Sequence, residues 1–282
     1  MLLDSNNIIL IPLYKIKNTP IEYLNKYKQL VDLNIDNIKK LNIQANIQII
    51  NKSVNNLRDM WFDILTIIIS LTKENKNILY MEADTIIFRN CDEIFSYKNV
   101  LCFGLGYWNM SFKKKNEFDF YEYWNSGLVY FPKNCNYDPI IELYNNWPMQ
   151  DDKISLNKIF PNYNFNFGNR ALDYSGTYWE YICNILFYSQ FLNKEDGIKY
   201  IANNFGLWKY NYRGCLYKKY PNKNLLANSN NISHCHFLIH SSRKDRNARF
   251  NEILNIFKKT NTILDDKIEL NEHILSIPDD MF

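Results

Sequence analysis

The chain has 282 residues, of which 46% are hydrophobic and 22% charged, with a formal net charge of +3. This composition supplies a substantial core and excludes intrinsic disorder, and the near balance of charge argues against nucleic acid as the main partner. No apolar stretch approaches the roughly 20 residues that cross a bilayer, and Met1-Leu2-Leu3-Asp4 has neither the charged start nor the cleavage site of a secretory signal, so a cytoplasmic protein without a transmembrane segment is expected.

Ile8 to Leu13 is a continuous apolar run of the kind that buried parallel strands show. Thr19-Pro20-Ile21-Glu22 then reads as a capping box with proline at the first helical position. Ile21, Leu24, Tyr27, Val31, Ile35 and Ile38 follow at helical spacing. Ala45 to Ile50 predicts a second strand. Leu57, Trp61, Ile64, Leu65, Ile68 and Leu71 form a wide apolar helical face that leads into the strand Asn77 to Met81. Strand, helix, strand, helix, strand implies a mainly parallel sheet flanked by helices, with ligands at the carboxyl ends of the strands.

Further strands are expected at Val100 to Gly106, Ser126 to Phe131 and Phe237 to Ile239. Helices are expected after Asp138-Pro139, running to Trp147, and around Phe250, Ile253, Leu254 and Phe257. No repeat or linker divides the chain, so residues 1–260 read as one domain and 261–282 as a peripheral tail. The six cysteines are scattered without a C-x-x-C pair, which argues against a zinc ribbon or a disulfide scaffold. His234-Cys235-His236 lacks the second cluster that a zinc site needs.

Two carboxylates, Glu82 and Asp84, stand one residue apart where the strand Asn77 to Met81 ends. Acids in such a place are costly to desolvate unless a cation or hydrogen bonds compensate them. Hard cations such as Mn²⁺ and Mg²⁺ take oxygen ligands and complete their shell with phosphate oxygens. The first glycine of the chain is Gly104, so no glycine-rich phosphate loop precedes this acidic segment. If a nucleotide binds the amino-terminal half, a metal must therefore carry much of the phosphate recognition.

Three segments together resemble the nucleotide-sugar glycosyltransferases of the GT-A fold, the family 8 group (glycogenin and the lipopolysaccharide galactosyltransferases) above all. Ile78 to Ile87 is similar to the DXD segment, Trp124 to Phe131 to the N-S-G strand that lines the donor-sugar pocket, and Asp152-Lys153-Ile154-Ser155-Leu156-Asn157 to the D-Q-x-x-L-N segment. They occur in the family's order. The resemblance implies a GT-A α/β fold, a Rossmann-like mixed and mainly parallel sheet. It also implies sugar transfer from a nucleotide-diphosphate donor to a glycan, glycoprotein or small-molecule acceptor, with Mn²⁺ or Mg²⁺ as cofactor.

Carried over residue by residue, the resemblance makes Asp84 and Glu82 metal ligands, Glu82 also contacting the ribose. It makes His240 the third ligand, with His236 in reserve. Lys244 and Arg246, in the basic run after His240, would neutralise the leaving diphosphate. Arg58 resembles the donor-phosphate arginine, or is a solvated first-turn residue. Leu13 and Tyr14 lie where the nucleobase would stack. Asn125 and Asp152 would address the donor sugar, with Asp151 able to take the role of Asp152. Glu180 is a candidate general base for an inverting enzyme.

The chain departs from the family pattern at Lys153, which replaces a glutamine near the anomeric carbon, and around His240, where the glycine and Pro-Trp are missing. These departures keep open a second reading, a catalytically silent carbohydrate-binding or interaction protein on the same scaffold. A haloacid dehalogenase-type phosphatase is disfavoured, because its first acid is an aspartate nucleophile near the amino terminus.

Overall fold

The computed structural model describes residues 6–87, 90–105, 111–114, 124–145, 163–166, 175–190, 208–209 and 234–236. The chain opens with β1 (Asn7–Ile16), α1 (Ile21–Lys40), β2 (Asn46–Val54), α2 (Leu57–Lys73) and β3 (Asn77–Met81), the alternation that the hydrophobic pattern predicts. Then come β4 (Thr85–Ile87), β5 (Leu101–Leu105), β6 (Ser111–Lys114), β7 (Trp124–Phe131) and α3 (Ile141–Asn145). Last are β8 (Tyr163–Asn166), α4 (Ser175–Tyr188), β9 (Trp208–Lys209) and β10 (His234–His236). The expected strand over Phe237 to Ile239, the final helix and the tail 261–282 lie outside the described residues.

The central sheet is mixed, in the order β2-β1-β3-β7-β5-β9. β1 pairs in parallel with β2 and β3, and β5 with β9, whereas β7 runs antiparallel to both its neighbours. Ile9, Leu10 and Ile11 are fully buried, as a strand covered on both faces requires. β1 outruns its apolar stretch: pairing with β3 ends at Leu10↔Tyr80, while pairing with β2 continues to Ile16↔Val54. Pro12, which has no N–H to give, falls where the ladder to β3 has stopped.

The connection from β1 through α1 steps outward to β2, and the connection through α2 steps back across β1 to β3. Right-handed crossovers of opposite sense place the two helices on opposite faces of the sheet. Reversal of strand order between β1 and β3 opens a crevice at their carboxyl ends. Leu13 and Tyr14 at the end of β1 and Glu82 to Asp84 after β3 all stand at this crevice.

The predicted capping box does not form. Helix α1 starts at Ile21 with Pro20 as its N-cap and no side-chain cap hydrogen bond. Thr19 is one residue too early, because its own N–H closes a turn on the Ile16 carbonyl at 2.9 Å, with Asn18 at φ 70° in the left-handed conformation that asparagine tolerates. Helix α2 is capped instead: the Asn56 side chain accepts from the Asp59 N–H at 2.9 Å. Asn56→Ala should cost about 1 kcal/mol, read as a lower urea midpoint at unchanged denaturant dependence.

Sequence periodicity missed α4, yet it closes the core. Trp179 is fully buried, stacked on Trp61 of α2 with ring centroids 5.5 Å apart. It also meets the Tyr80 ring edge-on at 5.1 Å and Phe131 at 6.0 Å. One indole thus joins α2, α4, β3 and β7. No helix among the described residues is long and apolar enough to cross a membrane.

Candidate functional site

β3 ends at Met81 and the chain reverses in a tight turn, in which the Thr85 N–H donates to the Glu82 carbonyl at 3.0 Å. Ala83 and Asp84 are its central residues. Asp84 is 5% exposed and Glu82 half-buried, so two acids share a largely desolvated corner at the crevice.

The turn is gripped from two sides. The Gly127 carbonyl accepts twice, from the Glu82 N–H at 2.9 Å and from Thr85 Oγ1 at 3.1 Å. From α1, Asn34 Nδ2 donates to the Ala83 carbonyl at 2.8 Å and Asn37 Nδ2 donates to the Ile87 carbonyl. Both asparagines are buried. The Gly127 bonds bring together two of the segments singled out in the sequence, the acidic one and Asn125-Ser126-Gly127. A register slip between Cys102 and Gly104 sets Gly104 opposite Asn125, a bulge of the kind found where strands pass a site.

A strand that the sequence pattern did not place also arrives here: β10, which carries the reserve histidine His236, pairs antiparallel with β4, His236 lying opposite Thr85 and His234 opposite Ile87. The backbone of His236 is thus paired with the residue that follows Asp84. His240, Lys244, Arg246, Asp151, Asp152 and Lys153 lie outside the described residues. Glu180 falls within α4.

On the β1 side of the crevice Leu13 is half-buried. Tyr14 is turned inward, 8% exposed, its hydroxyl donating to Asp63 Oδ2 at 2.5 Å. Asp63 also pairs with Lys52 Nζ at 2.9 Å. Burial, followed by the hydrogen bond and the charge of Asp63, drives the Tyr14 pKa upward, so this hydroxyl stays protonated and acts as a donor. Arg58 stands half-buried in the first turn of α2.

Tyr80 lies two residues before Glu82 and is fully buried. Its hydroxyl has no hydrogen-bond partner among the described residues. Burial first, and then the negative charge of Glu82, hold its pKa well above the usual tyrosine value, with Asp84 adding to the effect. The hydroxyl therefore sits in the field of both acids.

Glu82 and Asp84 form a hard, oxygen-only donor set, which suits Mg²⁺ or Mn²⁺ and disfavours softer ions. Among the described residues, no group of three His, Cys, Asp or Glu side chains stands together as a metal-holding cluster. The residues missed in the sequence are Asn34, Asn37 and Asp63. Asn34 and Asn37 fall on the same helical stripe as Val31 and Ile38, and polar residues interrupting an apolar stripe were the available signal.

No protein-family model matches the chain, and no curated protein matches it. Among solved structures it is similar to the apo form of the bifunctional glycosyltransferase WbbM, at 13% identity and a TM-score of 0.48, over 98% of this chain and 53% of that one. It therefore spans about half the length of that protein. It is also similar to a glycosyltransferase involved in glycosylation of the major capsid of PBCV-1, at 11% identity and a TM-score of 0.39, over 88% of this chain and 98% of that one.

Proposed function

We propose that the protein is a metal-dependent glycosyltransferase, similar to the family 8 group, that moves a sugar from a nucleotide-diphosphate donor to a glycan, glycoprotein or small-molecule acceptor. The observation that carries this reading is the acidic turn at the β1/β3 crevice with the Asn125-Ser126-Gly127 segment tied to it through the Gly127 carbonyl. One buried acid, one half-buried acid and the strand that would line the donor sugar then share one corner of the fold.

In this reading Glu82 and Asp84 hold Mn²⁺ or Mg²⁺, with His240 as the further ligand and His236 in reserve. The ion, when bound, neutralises the diphosphate and so eases its departure. Arg58 would face the donor phosphates, and Lys244 and Arg246 would meet the charge that develops on the leaving diphosphate. Leu13 and Tyr14 would wall the nucleobase, with Tyr14 fixed by Asp63 so that it contributes shape rather than a free hydroxyl. Asn125 and Asp152, or Asp151 in its place, would bond the hydroxyls of the donor sugar and orient its anomeric carbon.

The test is a thermal-shift and calorimetric screen of UDP- and GDP-sugars with Mn²⁺ and with EDTA. A ligand that binds the native state alone stabilises it by about 2.7 kcal/mol at a hundredfold excess over Kd. That shift is expected with metal and not with EDTA. Equally tight binding in EDTA would overturn the metal bridge. Tight metal-dependent binding with neither transfer nor donor hydrolysis would favour the silent carbohydrate-binding reading.

A further inference from the structure

We propose that Asn34 is a positioning residue for the metal site, an α1 side chain that sets the geometry of the acidic turn without touching the ion. The inference rests on the metal reading above and deepens it. Asn34 is fully buried on the stripe of α1 that also carries Leu30, Val31 and Ile38. An amide on such a stripe costs free energy unless its polar atoms are paired. Half of it is paired, Nδ2 donating to the Ala83 carbonyl at 2.8 Å. The other half is not, for Oδ1 is buried without a hydrogen-bond partner among the described residues.

A leucine would pack against the rest of the stripe without burying an unmet amide oxygen, so the packing of α1 alone does not account for asparagine here. The partner it selects does. Ala83 lies between the two acids, and its methyl side chain is too short to anchor the turn by itself. Fixing its carbonyl fixes the Ala83–Asp84 peptide plane, and with it the direction in which Asp84 leaves the backbone, while the preceding plane is held by the Thr85 N–H on the Glu82 carbonyl. Asn37, one helical turn on, holds the Ile87 carbonyl, while Gly127 holds Glu82 and Thr85 from the other side. The α1 contact is thus half of a brace around the acids. Partners that orient metal ligands in this indirect way typically change metal affinity by about 10–100-fold when lost.

The test uses the full chain and Mn²⁺ alone, with titration calorimetry and the electron paramagnetic resonance signal of free Mn²⁺ as readouts. Asn34→Leu should bind Mn²⁺ about 10–100-fold more weakly at temperatures where the variant is fully folded, alongside the modest fall in melting temperature expected when the Ala83 carbonyl loses its donor. A purely structural role lowers the melting temperature but leaves the Kd of the folded protein unchanged, and that result would overturn the inference. Should Asn34→Leu not fold, Asn34→Ala is read in the same way. Asp84→Asn separates the two claims. Parent binding that Asp84→Asn leaves intact, or no parent binding at all, overturns the metal reading and the inference with it. Parent binding that needs Asp84 but is indifferent to Asn34→Leu overturns the inference alone.

Discussion

Asp84→Asn should reduce the proposed Mn²⁺ affinity by more than about 100-fold, beyond what loss of an indirect partner achieves, and should abolish the proposed sugar transfer. The metal-free variant should melt no lower than its parent. Both expectations come from the same fact, that Asp84 is 5% exposed and one residue from a second acid. The amide keeps the size of the carboxylate and one of its two acceptor oxygens, so packing is preserved. It removes the charge that attracts the cation, and it also removes repulsion between two acids in a poorly solvated corner. Calorimetry with Mn²⁺ and melting in EDTA check the two halves separately. Full turnover in Asp84→Asn would place the chemistry elsewhere in the molecule.

This pairing of opposite effects distinguishes a ligand from a structural acid. A carboxylate whose work is to hold the fold loses stability when neutralised. A carboxylate whose work is to hold a cation is strained without it, and the metal-free protein gains when the charge is removed. The grip on the turn from Gly127 and the two asparagines would hold the backbone fixed whether or not the acids are neutralised.

Much of this arrangement was legible in the sequence, for physical reasons that also explain the gaps. The bounds of β3 were readable because an unbroken apolar run ends abruptly at two acids. α1 and α2 were readable because one face is apolar and the other wet. α4 was not, since Ile182, Cys183, Asn184, Ile185, Leu186 and Phe187 are all buried, and a helix buried on nearly every side shows no period. The capping box misled because Thr-Pro-x-Glu fits the pattern one residue away from where the turn at Asn18 lets the helix begin. Asn34 and Asn37 escaped notice because asparagine is so common in this chain that two more on a helix carried little weight. Their role depends on which carbonyls α1 meets across the fold, and spacing alone cannot show that. The order of the acidic and N-S-G segments was visible, but their shared carbonyl at Gly127 is a tertiary fact.

Trp179→Ala should be the most damaging core substitution considered, costing about 3–5 kcal/mol. The indole is fully buried and bridges Trp61, Tyr80 and Phe131, so truncation leaves a void bounded by four elements that cannot all move inward. Trp179→Phe should cost clearly less, because it keeps a ring in the stack and deletes an indole N–H that has no partner among the described residues. The effect should also reach the site. Tyr80 loses the ring it leans on and is two residues from Glu82, so Trp179→Ala should weaken Mn²⁺ binding even at temperatures where it remains folded. Urea denaturation of both variants, with Mn²⁺ titration at 10 °C, measures the two consequences. A loss below about 1 kcal/mol for Trp179→Ala, less than the ordinary cost of emptying a core site, would mean that α4 does not close the core as described. In that case its link to the acidic turn through Tyr80 would fail with it.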